Sequence, residues 1–300
     1  MTNKLRPLLA TEVKNLKDLK LPMLASVKLD GIYALIVDGV IYSRSFKPIK
    51  NKHVQKLFGN RDLNGLVGEL VCGDVYAEDV FRQTTTATMA EDGVNDVKLY
   101  VFDDWSVGDK PYQERYQHYQ RRIKALNNGS IVALEHNMLH TIDEVITALD
   151  KEQKLNGEGI ILRLPSAKWK NGRSTPKSQE SVKLKFFEQQ EYKIVDVVER
   201  MHNANEAKVN ELGYTERSSH KDNMIPMNTF GAFVMELQDG RNFNVGSGLG
   251  LTDVVRKEIW DNRDKYIGKI ATVRQMKVGS KNGIPRLPTF VGLRDDDDMS

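Results

Sequence analysis

The chain is 300 residues long, with 40% hydrophobic and 28% charged residues. This length supports two domains of ordinary size, and the balance suits a soluble globular protein rather than a disordered or fibrous one. The 44 Lys and Arg against 41 Asp and Glu leave a net charge of only +3, so bulk charge does not decide for or against a polyanionic partner; clustering on one face does.

A single cysteine, Cys72, excludes an intrachain disulfide framework and fits a reducing compartment. The N-terminal residues lack the apolar run of a secretory signal, and no stretch reaches the length of a membrane span. The expected location is the cytoplasm, with no membrane partner.

In chain order, residues 1–22 have a basic cast from Lys4, Arg6, Lys14, Lys17 and Lys20, and Pro7 and Pro22 bracket a short helix-like segment. Residues 23–28 then read as a strand, Asp30-Gly31 as a turn, 33–37 as a strand, Asp38-Gly39 as a second turn and 40–43 as a strand. This is a β-meander and not the opening of a dinucleotide-binding fold. Further strands are expected at 66–75 and 97–102, the latter placing Tyr100 and Phe102 on one face by period-two alternation. Residues 112–126 look helical. Ile142, Val145, Ile146 and Leu149 give 142–155 an amphipathic helical spacing that Gly157 stops. Strands follow at 159–164 and 182–187.

A boundary is expected near Glu188-Gln189-Gln190, dividing the chain into domains 1–189 and 190–300. The second part is mostly β, with strands at 192–198, 231–237, 241–245 and 270–276 and a helix-like run at 251–259; a barrel of about five strands with one helix fits this spacing. Residues 203–223 are polar, hold Lys208, Arg217, His220 and Lys221, and read as a long mobile loop. Asp295–Asp298 read as a solvated tail.

Several short segments suggest chemistry. Lys28-Leu29-Asp30-Gly31 puts a lysine at the end of an apolar strand, where burial and nearby cations can produce the neutral amine a nucleophile needs. The same four residues also describe an ordinary surface hairpin. Glu69, in Gly68-Glu69-Leu70-Val71, is a carboxylate in an apolar strand that a sugar hydroxyl or a metal would satisfy; an outward-facing position would explain it equally. Glu158 precedes Gly159-Ile160-Ile161-Leu162-Arg163 and has the chemistry of a hard-cation ligand. Lys183 and Lys185 project from one side of a strand, where two like charges suit a polyanion such as a triphosphate or merely a solvated face. Arg286 and Arg294 flank a stiff apolar segment near the C-terminus, and arginine binds phosphate with forked geometry.

Each signal is short, but together with Ser43-Arg44 and Tyr100-Val101-Phe102-Asp103 they occur in an order that resembles the motif series of the covalent nucleotidyltransferases: DNA ligases, RNA ligases and mRNA capping enzymes. The resemblance spans about Met23 to Arg294. It is nearest to the short phage-type ATP-dependent DNA ligases, to whose C-terminal domain residues 231–260 and 286–294 are especially similar. It implies an α+β fold: a nucleotidyltransferase (adenylation) domain of antiparallel sheets with flanking helices, followed by an OB-fold β-barrel domain.

It implies ATP as AMP donor, Mg²⁺, and nicked double-stranded DNA as partner of a monomer, in the host cytoplasm if the chain is phage-encoded. Lys28, next to Val27 at the nucleotide, would carry AMP. Glu69 would bind ribose and help at the metal, and Glu158 would act at the metal. Phe102 would stack on adenine, with Tyr100 as the alternative. Lys183 and Lys185 would neutralise the α-phosphate, Arg44 would hold the nucleotide or the 5′-phosphate, and Arg286 would orient pyrophosphate.

The family usually has an arginine two places after the motif glycine; here that place is Tyr33, a departure that bears on catalytic efficiency more than on reaction type. Phosphate contacts are expected from Arg44, Lys47, Lys50, Lys52, Lys170, Arg173 and Lys177, and from Lys208, Arg217 and Lys221 in the 203–223 segment. Trp169–Ser174 read as an exposed basic loop, and a hinge is expected near 188–191. An RNA ligase or a catalytically weak nucleic-acid-binding relative is the alternative.

Overall fold

The structure, a computed structural model, describes residues 5–281 and 283–294. Lys4 and the expected acidic tail Asp295–Asp298 lie outside the described residues. The chain divides into two units that meet in sequence at Phe186/Phe187.

The first unit runs β1 (Leu8–Leu9), β2 (Met23–Val27), β3 (Ile32–Val37), β4 (Val40–Ser43), α1 (Lys52–Phe58), β5 (Leu66–Cys72), α2 (Val80–Met89), β6 (Val97–Asp104), α3 (Tyr112–Leu126), β7 (Ile131–Ala133), β8 (Asn137–Leu139), α4 (Ile142–Lys154), β9 (Gly159–Arg163), β10 (Gly172–Arg173) and β11 (Ser181–Lys185). Two larger sheets result. One has the order β4-β3-β5-β6-β7, the other β11-β9-β2-β8. All pairs in them are antiparallel except β6 with β7.

Each sheet covers one face with its own core. Ala34, Ile36, Leu66, Leu70, Leu99 and Val101 pack with Val54 and Phe58 of α1 and Tyr119 and Ile123 of α3. Met23, Ala25, Ile160, Leu162, Val182 and Leu184 pack with Val145 of α4. Side chains alternate along a strand. The residues between these core positions, Tyr33, Glu69, Phe102, Ser26, Lys28, Ile161, Arg163, Lys183 and Lys185, therefore share the other phase, and all of them line one cavity.

Local signals explain the helices. In α3 the buried Tyr112, Arg115, Tyr119 and Ile123 recur at helical spacing, and Asn127 closes the helix in the left-handed region. Thr141 and Glu144 form a capping box at the start of α4. Helices α1 and α2, and strands β7 and β8, have no counterpart in the sequence reading. The buried Asn51 caps α1 through Val54 N at 2.9 Å. The expected N-terminal helix is only a 3-10 turn at Leu16–Asp18.

Trp169–Ser174, expected as an exposed basic loop, keeps Asn171 and Arg173 exposed but is tied down by pairing. Strand β10 pairs in parallel with β1, and Ser174 N donates to Leu9 O at 2.7 Å while Ser174 itself is buried.

The second unit comprises β12 (Phe187–Asn203), β13 (Ala207–Val209), β14 (Thr215–Arg217), β15 (Met224–Glu236), β16 (Asn242–Val245), α5 (Asp253–Asp261), β17 (Ile270–Lys281) and β18 (Ile284–Leu293). Its sheet has the order β16-β15-β12-β17-β18. A parallel bridge from Gly248 to Phe290 joins the two ends into a barrel around Ile194, Phe230, Phe233, Phe243, Val245 and Val273.

Two expectations change here. Residues 188–191, the expected hinge, lie in a paired ladder from Glu188↔Gln275 to Glu191↔Thr272; only Phe186 separates β11 from β12. Residues 203–223 are not a plain loop. Strands β12 and β15 run beyond the barrel as a ribbon, still in register at Asn203↔Met224, and β13 pairs with β14 at its tip. The buried Asn205 binds the carbonyls of Ser218 and His220 at 3.0 and 2.9 Å. Polar composition concealed this because the ribbon is held by backbone and amide hydrogen bonds and has no apolar core.

Candidate active site

The cavity has a volume of about 200 Å³ and lies between the off-core faces of the two sheets. Lys28 is the first residue after β2. Its backbone N–H donates to Gly159 O at 2.9 Å, which fixes the strand end, and its ammonium is ion-paired with Glu158. The other oxygen of Glu158 takes Lys185 Nζ at 2.6 Å, so one carboxylate holds two lysines from different strands. Burial would raise the Glu158 pKa, but the two lysines outweigh it and hold the carboxyl below the usual range. Lys185 is shifted down, by burial and by the charge of Lys28, against the pull of Glu158.

Gly159 makes this possible. It has φ +139°, and a Cβ there would stand 2.0 Å from Leu184 O, so only glycine lets β11 approach β9 this closely.

Lys183 lies one alternation away and pairs with the exposed Glu12 at 3.1 Å. Glu69, on the opposite wall, has its pKa pushed up to about 8 by burial; Lys28 opposes the shift and Glu158 adds to it. The two carboxylates therefore sense each other across the cavity. Mg²⁺ fits such a donor set: it binds through one or two carboxylates and takes its remaining ligands from water and substrate phosphate. Among the described residues there is no cluster of three or more His, Cys, Asp or Glu side chains that could hold a metal by itself.

Phe102 and Val27 line the cavity, and Arg44 stands exposed at its edge. Tyr100 shares the side of Phe102 on β6 but is not part of the lining. Tyr33, in place of the family's arginine, packs its ring on Phe102 with centroids 5.8 Å apart. Its hydroxyl is buried without a hydrogen-bond partner, and burial raises its pKa.

Arg173, expected at DNA, also lines the cavity and donates to Ala10 O at 2.8 Å. Lys170 is engaged with Glu180 at 3.3 Å. Lys47, Lys50, Lys52 and Lys177 are exposed on the first unit. Lys208, Arg217 and Lys221 are exposed on the ribbon of the second, where Arg217 donates to the Asn205 carbonyl. Arg286 lies on β18 of the second unit, opposite Met276, and is not among the cavity residues.

The sequence reading missed the wall formed by Leu8, Leu9 and Ala10, and the parts played by Ser26, Ser181 and Arg163. Ile161 and Arg163 share the strand phase of the cavity lysines, a signal that period-two counting could have found. The N-terminal wall depends on the remote β1–β10 pairing, which carries no local signature.

An α+β unit with a lysine-lined cavity between two sheets, followed by a small β-barrel, is the architecture of an adenylation domain joined to an OB-like domain. Residues 7–185 match the family model for the ATP dependent DNA ligase domain, and residues 226–294 match that for the DNA ligase OB-like domain. The chain belongs to the ATP-dependent DNA ligases, an enzyme family whose AMP donor is ATP.

Among solved structures it is similar to the Chlorella virus DNA ligase-adenylate, at 26% identity over 96% of this chain and 99% of that one, with a TM-score of 0.54. A Lig E DNA ligase, at 21% identity over 98% of this chain and 100% of that one, has a TM-score of 0.69 and bears on the fold. No curated protein sequence matches the chain. Among the described residues no helix is long and apolar enough to cross a membrane.

Proposed function

We propose that Lys28 is the residue that accepts AMP and that the chain then seals nicks in duplex DNA as a monomer in the cytoplasm. The observation that carries this reading is the position of Lys28 in the cavity: on the lip of a strand, beside Lys185 and Glu158 and across from Glu69 and Phe102. The adenylating part is the first unit, which ends at Phe186, and the OB-fold part is the second, which starts at Phe187, three residues before the boundary expected from the sequence.

In the first step the neutral Lys28 amine attacks the α-phosphorus of ATP. A P–N bond forms, the bond to the β-phosphate oxygen breaks and pyrophosphate leaves. A lysine is nucleophilic only as the free amine. Lys183 and Lys185 offset the charge that develops on the α-phosphate oxygens. Phe102 offers an aromatic face to adenine, and Glu69 can accept from a ribose hydroxyl when ionised or donate to it when protonated. Arg286 orients the departing pyrophosphate. Glu69 and Glu158 are the carboxylates that would hold Mg²⁺, which when bound neutralises phosphate charge.

In the second step an oxygen of the 5′-phosphate at a nick attacks the Lys28-bound phosphorus and the P–N bond breaks. In the third the 3′-hydroxyl attacks the activated 5′-phosphate and AMP leaves. Arg44 at the cavity edge suits the 5′-phosphate. Lys47, Lys50, Lys52, Lys170, Arg173, Lys177, Lys208, Arg217 and Lys221 supply charge toward the backbone of the duplex.

The test is incubation with Mg²⁺ and ATP labelled at the α-phosphate. One AMP per chain is expected, with none on Lys28→Ala. Sealing of nicked duplex DNA beside nicked RNA then fixes the substrate. Label on the Lys28→Ala protein, or a preference for RNA, would overturn the corresponding part.

A further inference from the structure

We infer that Arg163 is a positioning residue for the nucleotide: it fixes the Phe102 ring and thereby sets affinity for ATP and preference for its base. This rests on the proposed role of Phe102 as the adenine platform. Arg163 ends β9 on one wall of the cavity and Phe102 stands on β6 in the other.

The guanidinium lies 5.3 Å from the Phe102 ring centroid and 5.3 Å from that of Tyr112. It is therefore shared by two aromatic faces, while Tyr112 holds the Phe102 carbonyl by a 2.7 Å hydrogen bond. A desolvated arginine over an aromatic face is an attractive and directional contact.

The charge is placed deliberately. Arg163 is 4% exposed and Asp103 is fully buried. Asp103 is already engaged by the buried Arg115, at 2.8 Å to one oxygen and 3.2 Å to the other. Arg163 reaches the same carboxylate only at 3.5 Å. One carboxylate thus serves two guanidinium groups, and the aromatic faces take up the charge that Asp103 does not balance.

Among the described residues that line the cavity, Arg163 Nε and Tyr33 Oη are buried without a hydrogen-bond partner, and both residues contact the Phe102 ring. A core chosen for stability alone would not leave both unsatisfied. Both contacts bear on the Phe102 ring.

The experiment follows AMP adduct formation by intact mass across ATP and GTP concentrations for the wild type, Arg163→Met and Arg163→Lys, with thermal melting of each protein. The methionine removes charge and planarity, while the lysine keeps charge and loses the planar stack. Arg163→Met is expected to need roughly tenfold more ATP for half-maximal rate, the scale of one lost desolvated cation–π contact, and Arg163→Lys, which keeps the charge but not the planar stack, a smaller increase of roughly threefold. The rate at saturation should stay within about threefold, and the ATP-over-GTP preference should narrow.

A stabilising residue without a positioning role would lower the melting temperature and leave the preference intact; that outcome overturns the inference, as does a loss confined to the saturated rate. If the methionine variant does not fold, the lysine variant decides by the same readouts. If the wild type forms no adduct, the Lys28 reading itself fails and takes this inference with it. A normal wild type with unaltered variants refutes the Arg163 role alone.

Discussion

Lys28 and Lys185 are held by the two oxygens of a single carboxylate, Glu158, which is itself almost fully buried. Glu158→Gln keeps the shape and removes the charge, leaving two ammonium groups against a neutral amide. Breaking a buried pair costs about 3–5 kcal/mol. Because the lysine side chains are 18% and 12% exposed, we expect about 1–3 kcal/mol in a urea titration at neutral pH.

The acid side of the stability profile gives a second readout of the same substitution. The folded pKa of Glu158 lies below its ordinary value of 4.5, so its stabilising contribution is present above 4.5 and is lost as pH falls through the folded value. The glutamine variant should lack that component of the acid-side decline.

Glu69 should show the opposite sign. Its pKa rises from 4.5 unfolded to about 8 folded, so the folded chain holds a proton that the unfolded chain has given up between those values. Stability then falls as pH rises from 4.5 to 8. Glu69→Gln cannot lose this proton. Melting curves between pH 5 and 8 should show the variant gaining on the wild type as pH rises, and a constant difference would refute the assignment.

Lys183 and Glu12 separate a structural role from a functional one. Their pair is solvated, with Glu12 54% exposed, and should be worth less than about 1 kcal/mol. Glu12→Gln should leave melting and adduct formation nearly unchanged. Lys183→Ala should slow adduct formation by about 10²-fold, the scale of one lost charge-stabilising group. Equal effects from the two substitutions would argue that Lys183 serves the ion pair.

Gly159→Ala tests the close approach of β11 to β9. The added Cβ would meet Leu184 O at 2.0 Å in a backbone conformation that L-residues rarely adopt. We expect about 1–3 kcal/mol of destabilisation and slower adduct formation, because Lys185 must move with β11. Unchanged stability would mean that β11 shifts freely.

Charge on the ribbon should matter through salt. If Lys208 and Lys221 each neutralise one backbone phosphate, replacing both by alanine should lower the slope of log affinity against log salt by roughly 2 for nicked duplex. An unchanged slope would place the phosphates elsewhere.

The sequence was most legible where the period of the hydrophobic pattern is unambiguous. Helix α3 was expected over the residues it occupies, and β3 and β4 follow the two turns predicted for them. Lys28, Glu69, Phe102, Lys183 and Lys185 were expected individually, and the structure brings them to one cavity because all stand on the strand phase that their cores do not use. What stayed hidden depends on distant partners. The wall at Leu8–Ala10 exists only through β10, and the importance of Arg163 appears only when Phe102, Tyr112 and Asp103 from other elements surround it. The ribbon was hidden for a different reason, since backbone pairing without an apolar stripe resembles a loop in composition.

The length of β12 has an architectural consequence. Its first residues pair with β17 in the barrel wall and its last pair with the far end of β15 at Asn203↔Met224. No joint interrupts the strand, although bulges bend it. The arm and the barrel wall are therefore parts of one continuous strand and are not separate elements joined by a loop.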